Sequence, residues 1–325
     1  MKNYFDFTLT GGKLFLTFII YLIVCFVPAI WIQVSASDLQ AQAIDHNALM
    51  NYYAQAGIAF LIITLAVPVL YLFLVKLFAE GLVYKGEALK CDFSVGHYLG
   101  IVIGGWLLSV ITLGIYYPWF LTRIIRYFGR HTTYRGEPFD FQGKGLTLLG
   151  IILLSFVLPT VLVILVFVLS MGAMATGGSP AGYGLTMGVV LLAFVICVIA
   201  LEYLMYRWMV DFKYGPLHIG WNTQTLHAVG FLLGQIVLYC ITLGLYGPAA
   251  LIRIYRYFVS RTEATENGAP ARLWGYDAQI GRDYWYILGQ GLLAMITLGI
   301  YAPWALTKIT RRLVSNTYLK PASEE

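Results

Sequence analysis

Charge is what this sequence has least of. Of its 325 residues only 11% are Asp, Glu, Lys or Arg, whereas 59% are hydrophobic. A soluble domain carries about a quarter charged residues, so this chain cannot cover a water-facing surface, and a soluble globular fold is excluded. Cysteine is scarce and dispersed, at Cys25, Cys91, Cys197 and Cys240. There is no C-x-x-C spacing for zinc and no loop pairing for a disulfide framework. Catalytic signatures are missing as well: no H-E-x-x-H, no G-x-S-x-G, no P-loop and no paired intramembrane aspartates. Nothing calls for an enzyme, a cofactor, a metal or a nucleic-acid partner.

Long apolar runs take the place of charge. Leu14 to Ile32, Ala56 to Val75, Leu146 to Leu169 and Leu185 to Leu201 contain no charged residue. Each reaches or approaches the roughly 20 residues that cross a bilayer as helix. The 24 Tyr and 8 Trp suit interfacial belts. The first run is too long for the apolar part of a signal peptide and recurs mid-chain, so an uncleaved span is expected.

The chain also repeats itself. Ile111-Thr112-Leu113-Gly114-Ile115-Tyr116-Tyr117-Pro118-Trp119 reappears from Ile241 to Pro248 and again from Ile296 to Trp304. Downstream, Arg123 and Arg126 correspond to Arg253 and Arg256, then to Lys308 and Arg311. Phe5-Asp6-Phe7 is echoed by Phe139-Asp140-Phe141, each before a long apolar run. The expected organisation is a first unit over 1–138, a second over 139–268 and a partial third over 269–325.

Each repeated motif reads as a tight helical hairpin. One helix ends at Thr112-Leu113-Gly114, Thr242-Leu243-Gly244 or Thr297-Leu298-Gly299, and Pro118, Pro248 or Pro303 opens the next, where proline is best tolerated. The expected fold is therefore an all-α polytopic membrane protein of about ten hydrophobic helices in tandem repeats. It includes three helical hairpins, spanning or re-entrant, with short extended turns at the cytoplasmic surface. Arms of about 16 residues rise roughly 24 Å, short of a ~30 Å hydrocarbon core, which leaves both choices open. The turns at Lys85-Gly86, Arg135-Gly136 and Gly215-Pro216 read equally as hairpins or irregular linkers.

Sidedness follows from the cations. The segment from Gln33 to Gln55 has only Asp38, Asp45 and His46 as ionisable groups, and Met171 to Gly184 has none. With both termini cytoplasmic, every Lys and Arg falls on the cytoplasmic side, as the positive-inside rule requires.

The pairs Arg123/Arg126, Arg253/Arg256 and Lys308/Arg311 share a helix face at i, i+3. They are candidates for an anionic ligand or lipid headgroup, or else cations that snorkel to the interface and set topology. Gly100/Gly104 and Gly230/Gly234 are small-xxx-small pairs expected to pack helices closely. His97, His227 and Arg282 occupy one repeat position, which suits a basic group near headgroups rather than a metal. Asp92, Asn222 and Asp277 are expected helix caps. Glu202 is expected to be salt-bridged at the interface, with Arg207 nearby, and Glu80 likewise with Lys76.

The Thr112 to Trp119 and Thr297 to Trp304 turns, their basic helices, and the segments Phe5 to Gly12 and Phe139 to Gly143 resemble the YjgN-like family. The second copy departs from the pattern with Ala249 in place of tryptophan. That family comprises bacterial inner-membrane proteins without an established activity, so the resemblance implies an address and no substrate. Function is left between transport or channel-like passage of a small molecule or lipid and a non-transporting, lipid-binding or scaffolding role.

Overall fold

The computed structural model describes residues 2–41, 46–175, 177, 179–277 and 279–321; Asp45 lies outside them. Two long helical hairpins come from the charge-free runs. The first pairs α1 (Gly11–Ala41) with α2 (His46–Gly81). In the second, α5 (Gly145–Ile152) runs through a π-helical turn (Leu153–Val157) into α6 (Leu158–Ala175), which pairs with α7 (Pro180–Met209). The π turn sits just ahead of Pro159, whose missing N–H interrupts the regular helical ladder.

Three short hairpins complete the helical layer. They are α3 (Val95–Ile111) with α4 (Tyr117–Arg130), α8 (Thr225–Ile241) with α9 (Gly247–Val259), and α10 (Ile280–Ile296) with α11 (Ala302–Ser315). Every helix packs on its neighbour in chain order, and α11 packs back on α1, so the layer closes into a ring.

The segments between hairpins are strands, which corrects the all-α expectation. They are β1 (Asn3–Phe7), β2 (Leu82–Tyr84), β3 (Glu87–Ala88), β4 (Lys90–Cys91), β5 (Thr132–Tyr134), β6 (Glu137–Phe141), β7 (Phe212–Tyr214), β8 (Leu217–Trp221), β9 (Thr262–Glu266), β10 (Ala269–Tyr276) and β11 (Thr317–Pro321). They form one antiparallel sheet in the order β3-β2-β1-β11-β10-β9-β8-β7-β6-β5-β4. Its two edge strands, β3 and β4, are consecutive in the chain and joined through Leu89. The sheet is therefore a nearly closed barrel, completed covalently at one residue. The ten hydrophobic helices are also corrected. Four described helices are long and apolar enough to cross a membrane, α3 and α8 are apolar but shorter, and α4, α9 and α11 carry the three basic pairs.

The physical reason is that the strands satisfy one another around a ring. Lys85-Gly86, Arg135-Gly136 and Asn267-Gly268 all have positive φ, the geometry that matches the twist of a two-residue β-hairpin. Where one hairpin meets the next, a backbone amide bonds across: Thr8 to Gly81, Asp92 to His131, Gln142 to Asp211, Asn222 to Arg261 and Asp277 to Asn316, at 2.8–3.0 Å. Three of these donors are the expected helix caps. The described N-caps lie elsewhere, at Ser94, Gln224 and Gln279, so Asp92, Asn222 and Asp277 are junction residues instead.

Candidate functional site: an aromatic barrel lumen beneath a ring of basic hairpins

Strand alternation sends Phe5 and Phe139 into the barrel, and the residue paired with each is a tyrosine: Phe5 faces Tyr84 and Phe139 faces Tyr214. The ring centroids stand 4.7 and 5.0 Å apart. The tyrosines that precede the hairpin turns form a ladder. Tyr214 donates its hydroxyl to the Tyr134 carbonyl at 3.0 Å, and Tyr134 donates to the Tyr84 carbonyl at 3.1 Å. The ladder stops at Tyr84, whose buried hydroxyl lies beside Arg272 and finds no acceptor for its own proton.

These rings line a lumen of about 380 Å³, together with Trp274 and the cations Lys85, Arg135 and Arg272. No Asp or Glu among the described residues lines it. Arg135 is held by Glu87 at 3.1 Å, while Lys85 stands over the Tyr84 ring at 5.7 Å. Burial pushes the Tyr84 hydroxyl up from its ordinary value, against the pull of nearby Arg272, and burial raises Tyr214 as well. Both hydroxyls are thus donors at neutral pH. An unpaired buried donor among cations, in a wall without carboxylates, favours an anion.

The barrel is pinned across β11, between β1 and the end of β10. Lys2 and Tyr4 both contact the Asp277 carboxylate, at 2.9 and 2.6 Å. The hydrogen bond from Tyr4 and then that from Lys2 hold Asp277 below the ordinary carboxylate value. A depressed carboxylate stabilises the fold above its unfolded value, and that contribution is lost as pH falls through the folded value. Thermal melts of wild type and Asp277→Asn in detergent are therefore expected to differ at neutral pH and to converge as pH falls from about 4, the ordinary carboxylate value, through the lower folded one.

The six basic residues lie one layer away. Arg253 donates to the Tyr246 hydroxyl at 2.7 Å, and Tyr246 donates to Gln235 at 2.9 Å. Lys308 does the same through Tyr301, at 2.9 Å, to Gln290 at 2.9 Å. Arg123 lies over the Tyr116 ring at 5.6 Å, but Gly105 stands where the other hairpins have glutamine, and the buried Tyr116 hydroxyl has no partner. Phe120 fills that space, so close to Gly105 that a Cβ there would collide with its ring. Arg311 instead donates to the Phe7 and Leu9 carbonyls, at 2.7 and 3.3 Å, tying α11 to the strand before α1. Arg126 and Arg256 hold the corresponding positions on α4 and α9. The first cation of each pair thus has its own tyrosine.

Other expected residues fall as follows. The turn residues Thr112, Gly114 and Pro118, Thr242, Gly244 and Pro248, and Thr297, Gly299 and Pro303 form three turns with nearly identical backbone angles, including φ of 49–50° at the leucine. Gly100, Gly104, Gly230 and Gly234 mark no close helix approach within the chain, since a Cβ at any of them would meet nothing within 4 Å. Close approaches between a short hairpin and the helix after it occur instead at Gly145 against Trp119 and Gly11 against Trp304, where that helix is long; Ala249 sits where the next helix is short. His97 stands edge-on to Tyr127 at 5.2 Å, and His227 shares a 3.0 Å hydrogen bond with Tyr257. Glu80 pairs with Lys76 at 3.7 Å. Glu202 is exposed beside an apolar cleft lined by Tyr203, Trp221 and Phe258, and no salt bridge to Arg207 forms among the described residues. Two features escaped the sequence pattern: the lumen, because the repeated Phe and Tyr residues that line it carry no local sign of pairing across the chain, and the ion pair of buried Asp283 with Arg312 at 2.8 Å, which has no counterpart in the other hairpins.

Four membrane-length helices joined to a strand barrel that gathers tyrosine and arginine define an integral membrane protein with a candidate anion site. The family model for bacterial proteins of unknown function, DUF898, matches residues 4–282, and the chain belongs to that family. It is similar to the inner membrane protein YjgN of Salmonella typhimurium, 29% identical over 148 residues. That match covers 46% of this chain and 34% of the relative, so the aligned part spans about a third of YjgN. No solved structure matches. The relative and the apolar helices point together to an inner-membrane protein.

Proposed function

We propose that this chain binds and passes small anionic molecules along the common axis of the barrel and the helical ring. The observation that carries the reading is the lumen: an orphan tyrosine donor beside Arg272 and Lys85, in a wall free of carboxylates among the described residues. Strand order and helix order run alike around the ring, the arrangement that a common axial path requires. Arg123, Arg253 and Lys308 then stand about 10 Å from the hairpin tips at 1.5 Å per residue, a depth where a charge in a membrane protein is costly unless it serves a polar path. In this reading the barrel and both chain ends face the cytoplasm, following the cations, and the hairpin units descend from a duplicated segment.

The test is flux in proteoliposomes with benzoate and inorganic phosphate as probes. Flux above that of protein-free liposomes is expected, falling at least several-fold in Arg272→Gln/Lys85→Gln. Absence of flux from both probes would reject passage. A second reading, lipid binding without transport, is favoured by an apolar cleft of about 980 Å³ between α1, α2 and α11. Co-purified anionic lipid without any flux would select it.

A further inference from the structure

We infer that the three short hairpins are built to end inside the hydrocarbon of the bilayer rather than in water beyond it. The backbone of the tips carries the case, donor by donor. In the first hairpin the amide of Thr112 bonds to Leu108, Leu113 to Val110, Gly114 to Ser109, Ile115 to Thr112 and Tyr117 to Gly114. The one remaining amide, that of Tyr116, donates to the Thr112 hydroxyl at 3.0 Å. The next residue is Pro118, which has no N–H to satisfy.

The second and third tips repeat the scheme residue for residue. Thr242 Oγ1 accepts from Tyr246 and Thr297 Oγ1 from Tyr301, at 3.0 and 3.1 Å. Gly244 bonds back to Tyr239 and Gly299 to Ala294, at 2.9 and 2.8 Å, and Pro248 and Pro303 close the turns. A turn facing water has no need of such completeness, because water serves its free amides. A turn facing lipid must find every donor a partner within the protein.

The side chains agree. Leu113, Leu243 and Leu298 are each 93% exposed, flanked by exposed Ile111 and Ile115, Ile241 and Leu245, and Ile296 and Ile300. No charged residue lies in any of the three turns. The lengths agree too: α3, α8 and α10 have 17 residues each, a rise of about 26 Å that falls short of a ~30 Å core. The occupant of these tips is hydrocarbon. Water would leave three leucines fully hydrated, and a soluble partner would meet no polar group to recognise.

Spin labels at single cysteines replacing Leu113, Leu243 and Leu298, in a variant with the native cysteines removed, test this in phospholipid vesicles. The probes are molecular oxygen, which concentrates in hydrocarbon, and a water-soluble nickel chelate. A label at Lys85→Cys on the barrel mouth reports folding and gives the aqueous reference. At the tips, oxygen collisions are expected to exceed nickel collisions by several-fold, with the reverse at Lys85. Nickel access at the tips comparable to that at Lys85 overturns the inference, since the turns would then stand in water. Shielding from both probes also overturns it, because protein would then be the occupant.

Discussion

Arg312→Leu is expected to destabilise this protein by about 3–5 kcal/mol, the cost of leaving a buried charge without its partner. Asp283 is 0% exposed and sits in the first turn of α10, where its carboxylate accepts from the Gln279 amide at 3.1 Å and from Arg312 Nε at 2.8 Å. Removing the guanidinium leaves the carboxylate with only the amide. Asp283→Asn keeps an acceptor for that amide and removes the charge, so its cost should be smaller. The double variant Asp283→Asn/Arg312→Leu should recover part of the loss, because the orphaned charge is gone. Unfolding titrations in mixed micelles measure all three. Additive losses in the double variant would show that the pair is not coupled.

Gly105→Ala should cost about 1–3 kcal/mol, the usual range for overpacking a filled core. A methyl there would collide with Cδ2 and Cε2 of Phe120, and both atoms belong to one ring that must move as a body. Phe120→Ala should restore most of the stability by emptying that space. The pair Gly105→Gln/Phe120→Ala rebuilds what the other hairpins contain, where Gln235 goes with Ala250 and Gln290 with Ala305. It would also offer the Tyr116 hydroxyl the acceptor that it lacks. The double variant is expected to melt above Gly105→Ala; a lower melting point would show that the first hairpin differs in backbone as well as in side chains.

These two expectations draw on different kinds of legibility. The hairpin turns were readable because Thr, Leu-Gly and Pro each act within one turn of chain: a hydroxyl capping an amide four residues on, a positive-φ step, and a missing N–H. The helices of the two long hairpins were readable because a run without charge has few other fates. Glu202 was misread because it was judged on its own helix, and the glycine pairs find no close neighbour within the chain. What surrounds Gly100 or Gly230 is set by neighbouring helices, whereas Gly11, Gly105 and Gly145 lie in close contact with aromatic side chains from α4 and α11.

The barrel shows the same limit more sharply. Its strands are two to eight residues long, too short for alternation to stand out from a linker, and β1 pairs with β11 from opposite ends of the chain. No single hairpin of this size is stable alone. Their hydrogen bonds become available only once the helical ring brings each pair beside the next. The scarcity of charge therefore determined by itself that the chain lives in a membrane, and the repeated turn determined three hairpins carrying cations. Only the tertiary structure decided that the linkers close into a barrel and that Tyr84, Lys85 and Arg272 share one lumen, because closure depends on pairings between residues that no local pattern connects.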